Sequence, residues 1–152
     1  MKFYDCIEKN KDKNISIYCD MDGVIAEYDI GNFDYENIRP LKSTIKKIED
    51  LYKEDNIIIY ILSICKTNNI VSDKITWFKK NMPFLKQENI ILLSKEDNKY
   101  QDISSKEIKS NYLKEHAKND VNIVIDDDNS VIKYIRKNNE DLIVFQDSSL
   151  VD

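Results

Sequence analysis

The sequence predicts an α/β fold: a three-layer, doubly wound parallel sheet of Rossmann-like type. Three observations predict it. Five short runs rich in Ile, Val and Tyr recur along the chain. Each is nearly continuous in apolar residues, the pattern of strands covered on both faces. Longer amphipathic stretches separate them, which gives the strand–helix–strand repeat of a parallel sheet with right-handed crossovers.

The strands are expected at Ile15–Cys19, Ile57–Leu62, Ile90–Leu93, Asn122–Ile125 and Leu142–Phe145. Pro40 precedes a helix over Leu41–Lys53, with Leu41, Ile45, Ile48 and Leu51 on one face. Ser72 is expected to cap a helix that carries Ile75, Trp77 and Phe78 into the core and ends near Pro83. A helix over Ser110–Lys118 leads into the fourth strand, and Val131, Ile132 and Ile135 mark another after it. Residues 1–13 and 94–107 are the least regular. With no internal repeat or low-complexity linker, the 152 residues are expected to form a single domain, 1–152.

Charge narrows the function classes. The net charge is -5, with lysines and acids interspersed. A broad nucleic-acid or membrane footprint needs a basic face, so no stable nucleic-acid partner is expected. A small anionic substrate in a locally cationic pocket remains compatible. The opening MKFYDCIEKNKDKN has no apolar run of the signal-peptide kind, and no segment approaches a membrane span. Cys6, Cys19 and Cys65 are odd in number and lack metal-site spacing. Cys19 and Cys65 read as core thiols, and the expected compartment is the reducing cytoplasm. The one histidine, His116, sits in a polar helical stretch and reads as a surface residue, against a His-based triad or a multi-His zinc site.

Polar residues collect at the strand ends, where open parallel sheets bind ligands. The first strand runs into Asp20-Met21-Asp22-Gly23, the second into Ser63, and the fourth into Asp126, Asp127 and Asp128. If those three strands are neighbours, the groups converge. Carboxylates so gathered need a cation, and oxygen ligands alone select a hard one, Mg²⁺ above all. Such a metal normally meets phosphate oxygens. Gly23 follows the carboxylate pair, where a tight turn calls for positive φ.

The motifs YCDMDGVIAEY, SDKITWFKKNMP and VIDDDNSVI, in that order, resemble the haloacid dehalogenase superfamily of phosphohydrolases, and within it the 5'(3')-deoxyribonucleotidase branch. The resemblance covers roughly residues 15–135. It implies a phosphomonoesterase. Many members of the family carry a cap domain, but here residues 24–41 leave room only for a short flap and residues 63–109 for no separate domain, so the cap is expected to be minimal or absent. The resemblance implies Asp20 as nucleophile, forming an aspartyl-phosphate, and Asp22 as general acid and then base. Mg²⁺ would be held by Asp20, the backbone carbonyl of Asp22 and a carboxylate of the last motif, Asp127 with Asp126 as the alternative. Ser63 would bind a phosphoryl oxygen. A lysine would offset charge on Asp20 and the phosphoryl group; Lys109, placed just before a helix, fits the pattern, with Lys99 and Lys106 as alternatives. Ser63 is followed by Ile64 and Cys65, not by the second hydroxyl residue of several relatives.

The implied substrate is a nucleoside monophosphate, foremost a deoxyribonucleotide, with Tyr28, Phe33 and Tyr35 placed to stack a base. A nucleic-acid end or a sugar phosphate is the alternative within the superfamily. A phosphoaccepting receiver domain has similar parts in a different order, its acceptor Asp on a later strand. A non-catalytic Mg²⁺-binding relative is the remaining alternative, and the presence of both Asp20 and Asp22 speaks against it.

Overall fold

The computed structural model describes residues 1–28, 31 and 34–152. Five parallel strands form one sheet: β1 (Ile15–Cys19), β2 (Ile57–Cys65), β3 (Ile90–Ser94), β4 (Val121–Asp126) and β5 (Ile143–Gln146), in the spatial order β3-β2-β1-β4-β5. The expected strands one, two and four are therefore neighbours. Ile17 pairs with Ile59 on one side and Ile123 on the other. The chain builds outward from β1 to β2 and β3, then returns to place β4 on the opposite side. The gap between β1 and β4 is the switch point at which such sheets bind ligands.

Among the described residues five α-helices cover the sheet: α1 (Phe3–Lys9), α2 (Lys42–Tyr52), α3 (Asn68–Asn81), α4 (Ser105–His116) and α5 (Asn129–Asn138). Strand side chains alternate between two cores. Ile15, Ile17 and Cys19 join Ile59, Ile61, Ile123 and Ile125 beneath Phe3, Ile48, Leu51, Trp77 and Phe78. Tyr18, Leu62 and Val124 face the other way, onto Leu113, Val131, Ile132 and Ile135. The helix–sheet–helix layering follows from that alternation, and Trp77 and Phe78 are core as expected. Among the described residues no helix is long and apolar enough to cross a membrane.

Several element boundaries differ from the sequence expectation. β2 continues through Ser63 to Cys65, pairing Ser63 with Leu92 and Cys65 with Ser94. α3 begins four residues before Ser72, because the Thr67 side chain accepts from the Ile70 N–H at 3.2 Å and caps the helix there. α4 begins at Ser105 rather than Ser110. Ser104 accepts from the Glu107 N–H at 3.4 Å, and Ser-x-x-Glu is a capping sequence. The N-terminal stretch, expected to be irregular, carries α1.

Candidate active site

The turn after β1 positions both opening carboxylates. Asp20 N–H donates to the Ile125 carbonyl at 3.0 Å, so the β1–β4 pairing runs to the end of β1 and Asp20 lies beside Asp126. The chain then coils tightly. The Ile25 and Ala26 N–H groups both donate to the Met21 carbonyl, at 3.0 and 3.1 Å, and Gly23 N–H donates to Ala26 at 2.8 Å. Gly23 holds φ at 79°, the left-handed conformation its lack of a Cβ allows. Beyond the coil, Ile25 and Glu27 pair with Leu41 and Arg39 at 2.8 and 2.9 Å, forming the stem of a short flap. Trp77 pins that stem from α3, its indole N–H donating to the Ile38 carbonyl at 2.8 Å.

Asp20, Asp126 and Asp127 each offer a carboxylate oxygen, and these oxygens lie within 4.8 Å of one another. The Lys109 ammonium sits among them, 3.1 Å from Asp20 Oδ1 and 2.7 Å from Asp126 Oδ2. Asp126 is almost fully buried, and its other oxygen accepts from the Asp128 N–H at 3.0 Å. Asp128 turns away to cap α5, accepting from Ser130 N–H at 2.8 Å. Lys109 was expected just before a helix; it lies inside α4, on the face that also buries Ile108 and Leu113. Lys106 reaches Ser130 and the Tyr134 ring, and Lys99 lies over Tyr100. The structure thus brings Lys109, and not Lys99 or Lys106, to Asp20.

Burial raises the Asp20 carboxyl well above its ordinary range; the Lys109 ammonium opposes the shift, and Asp126 and Asp22 add to it. Burial and then the Asp126 charge push Asp127 up to about 6. Burial pulls on Lys109 in the opposite sense, but Asp20 and Asp126 outweigh it and hold the ammonium above its ordinary range. One lysine facing three carboxylates leaves excess negative charge in a small buried volume. A hard divalent cation fits that donor set.

Asp22 points elsewhere. Its carboxylate is outside the three-oxygen cluster and accepts from Lys74 Nζ at 3.0 Å. Lys74 also donates to Ser63 Oγ at 3.0 Å. This buried lysine is absent from the sequence expectation. The signal was available: Lys74 shares its helix face with Trp77 and Phe78, three and four residues on. Cys65 is close by, but burial raises its thiol, so a thiolate nucleophile is disfavoured.

Asp20, Asp22, Ser63, Lys109, Asp126 and Asp127 line one open cleft of about 500 Å³. Tyr28, Tyr35, Lys66 and Lys95 line it too. Phe33 lies outside the described residues. His116 is exposed and stacks on Tyr112, away from the cleft.

No protein-family model matches the sequence, and no curated protein matches it significantly. Solved structures do match. The Pnkp1/Rnl/Hen1 RNA repair complex aligns with a TM-score of 0.62 at 19% identity, over 89% of this chain and 42% of that one. The D,D-heptose 1,7-bisphosphate phosphatase of B. bronchiseptica, complexed with magnesium and phosphate, aligns with a TM-score of 0.62 at 10% identity, over 90% and 94%. The HAD domain of the Legionella pneumophila effector Lem4 aligns with a TM-score of 0.52 at 15% identity, over 88% and 85%. At these identities the likeness is one of fold, the α/β fold of haloacid dehalogenase-type phosphatases. The chain spans less than half of the first of these proteins.

Proposed function

We propose that this protein is a Mg²⁺-dependent phosphomonoesterase that works through an aspartyl-phosphate on Asp20. The observation that carries the reading is the convergence of Asp20, Asp126 and Asp127 around Lys109 at the β1–β4 switch point. The phosphatase neighbours, one of them solved with magnesium and phosphate, support it. Asp20 and Asp127 would hold the metal with the Asp22 carbonyl, and Asp126 is the alternative carboxylate. When bound, the ion neutralises the carboxylates and draws a phosphoryl group into the cleft.

The chain's own residues then divide the work. An Asp20 oxygen attacks phosphorus, so the Asp20–phosphorus bond forms as the bond to the leaving oxygen breaks. Asp22 gives that oxygen its proton. Water then attacks the aspartyl-phosphate, surrenders a proton to Asp22 and regenerates Asp20. Ser63 Oγ accepts from Lys74, which frees its own O–H to donate to a phosphoryl oxygen. Lys109 steadies the Asp20 carboxylate before attack and the phosphoryl charge during it.

The substrate we favour is a nucleoside monophosphate, foremost a deoxyribonucleotide. Tyr28 and Tyr35 line the cleft, and such rings would stack a base. A second reading is a phosphorylated nucleic-acid end. It is favoured by the openness of the cleft and by Lys66 and Lys95, which follow paired strand ends and lack an ion-pair partner among the described residues. The test is kcat/KM for deoxynucleotides, ribonucleotides, sugar phosphates and 3'- or 5'-phosphorylated oligonucleotides. A deoxynucleotide preference is expected. An oligonucleotide preference of about tenfold or more, roughly 1.4 kcal/mol, would replace it with the second reading. Acetyl phosphate separates the other class: turnover is expected, whereas a long-lived phosphoprotein would indicate a receiver.

A further inference from the structure

Lys74 presents a physical problem. Its side chain is 1% exposed, and an ammonium withdrawn from water costs several kcal/mol unless it is well paired. An apolar residue at this position of α3, beside Trp77 and Phe78, would serve the core at lower cost. Among the described residues its hydrogen-bond partners are Asp22 Oδ2 and Ser63 Oγ, both at 3.0 Å. The Tyr35 ring covers a further side, its centroid 5.0 Å from Nζ. All three of these residues line the cleft. A group so enclosed has little surface left for a substrate, so it acts through the residues it holds.

We propose that Lys74 is a positioning residue for proton transfer, one that fixes which oxygen of Asp22 serves the leaving group. The inference rests on the reading of Asp22 as general acid. Lys74 ties down Oδ2. The second oxygen, Oδ1, is buried and has no hydrogen-bond partner among the described residues. An unpartnered buried carboxylate oxygen is costly in a resting protein, but it suits an atom whose partner arrives with the substrate. The proton therefore rides on Oδ1. It passes to the leaving oxygen as the Asp20–phosphorus bond forms and the old ester bond breaks. In the second step the attacking water returns a proton to Oδ1 while its oxygen displaces Asp20 from phosphorus. Throughout, Lys74 stays bonded to Oδ2 and stabilises the carboxylate left when the proton departs. The same ammonium orients Ser63, so one cation on α3 registers the proton donor against the phosphoryl site.

The experiment is a leaving-group series in saturating Mg²⁺, from nitrophenyl phosphate through less acidic phenols to an alkyl phosphate. Wild type, Lys74→Met, Lys74→Gln and Asp22→Asn are compared by kcat/KM. A good leaving group departs without a proton, and a poor one does not. Lys74→Met should lose less than about tenfold on nitrophenyl phosphate and about 10²-fold or more on the alkyl phosphate, within the range of general acid catalysis. Lys74→Gln should follow the same slope and serves if the Met variant does not fold. Combined with Asp22→Asn, either change should add almost nothing. If both Lys74 variants lose equally on all leaving groups while Asp22→Asn shows the slope, the positioning role is overturned. If Asp22→Asn shows no slope, the reading of Asp22 fails, and this inference with it.

Discussion

Gly23 and Asp127 are in a contact that only glycine permits: a Cβ built on Gly23 would collide with the Asp127 carboxylate. The coil after β1 and the loop after β4 therefore touch through a residue with no side chain. That closeness lets a proposed metal ligand from one loop meet the nucleophile candidate of the other.

Gly23→Ala should consequently weaken Mg²⁺ binding by displacing Asp127. It should also cost about 1–2 kcal/mol, because residue 23 is left-handed. Gly31→Ala is the control, since that glycine is equally left-handed but a Cβ there would meet nothing within 4 Å among the described residues. Calorimetric Mg²⁺ titrations of the two variants should diverge. Equal affinities would remove the proposed role of Asp127.

Replacing Lys109, Lys106 and Lys99 one at a time with Met should give one severe defect and two mild ones. Lys109→Met leaves Asp20 and Asp126 without their buried counter-charge, a loss of about 3–5 kcal/mol in metal-free protein. Chelator-treated samples should show it as a drop in Tm, alongside a large fall in kcat. A severe defect at Lys99 or Lys106 with Lys109 spared would contradict the assignment.

Lys109 and Lys74 show how much was legible in the sequence. The sheet, its five strands and the acidic strand ends could be read directly, because buried parallel strands leave continuous apolar runs and carboxylates beside them stand out. Lys109 is singled out by a motif and expected just before a helix, whereas α4, capped by Ser104, already starts at Ser105 rather than Ser110. Lys74 does not stand out in the sequence, because a lysine in a lysine-rich helix looks solvated. Only the tertiary fold shows that its face is the buried one. Asp126 and Asp127 could not be separated by spacing, and in the structure both offer oxygens to the cluster.

Metal removal should make stability pH-dependent with a definite sign. Asp127 rises to about 6 from an ordinary 3.8, and Asp20 also rises. The folded, metal-free protein thus holds protons that the unfolded chain has released. Stability from these groups is present below the ordinary value and is lost as pH climbs through the raised ones. In chelator, Tm should fall between about pH 4 and about pH 7 relative to an Asp20→Asn, Asp127→Asn variant. Mg²⁺ should raise Tm more at the upper end, where it does not have to displace protons. A larger Mg²⁺ effect at the acid end would contradict the raised carboxyls.

Trp77→Phe should separate stability from chemistry. It strands the buried Ile38 carbonyl that the indole now satisfies, costing about 1–3 kcal/mol. Thermal unfolding should register that loss. Mg²⁺ affinity, assigned to Asp20 and Asp127, should stay near that of the wild type; a matching fall in affinity would show that the flap stem also shapes the metal site.

The most direct test of the central claim is phosphate release from a phosphomonoester, measured for the wild type in Mg²⁺, for the wild type in excess chelator, and for Asp20→Asn in Mg²⁺. Release is expected in the first case alone, with Asp20→Asn reduced by several orders of magnitude because the attacking atom is gone. Undiminished release by Asp20→Asn, or by the wild type in chelator, would contradict it.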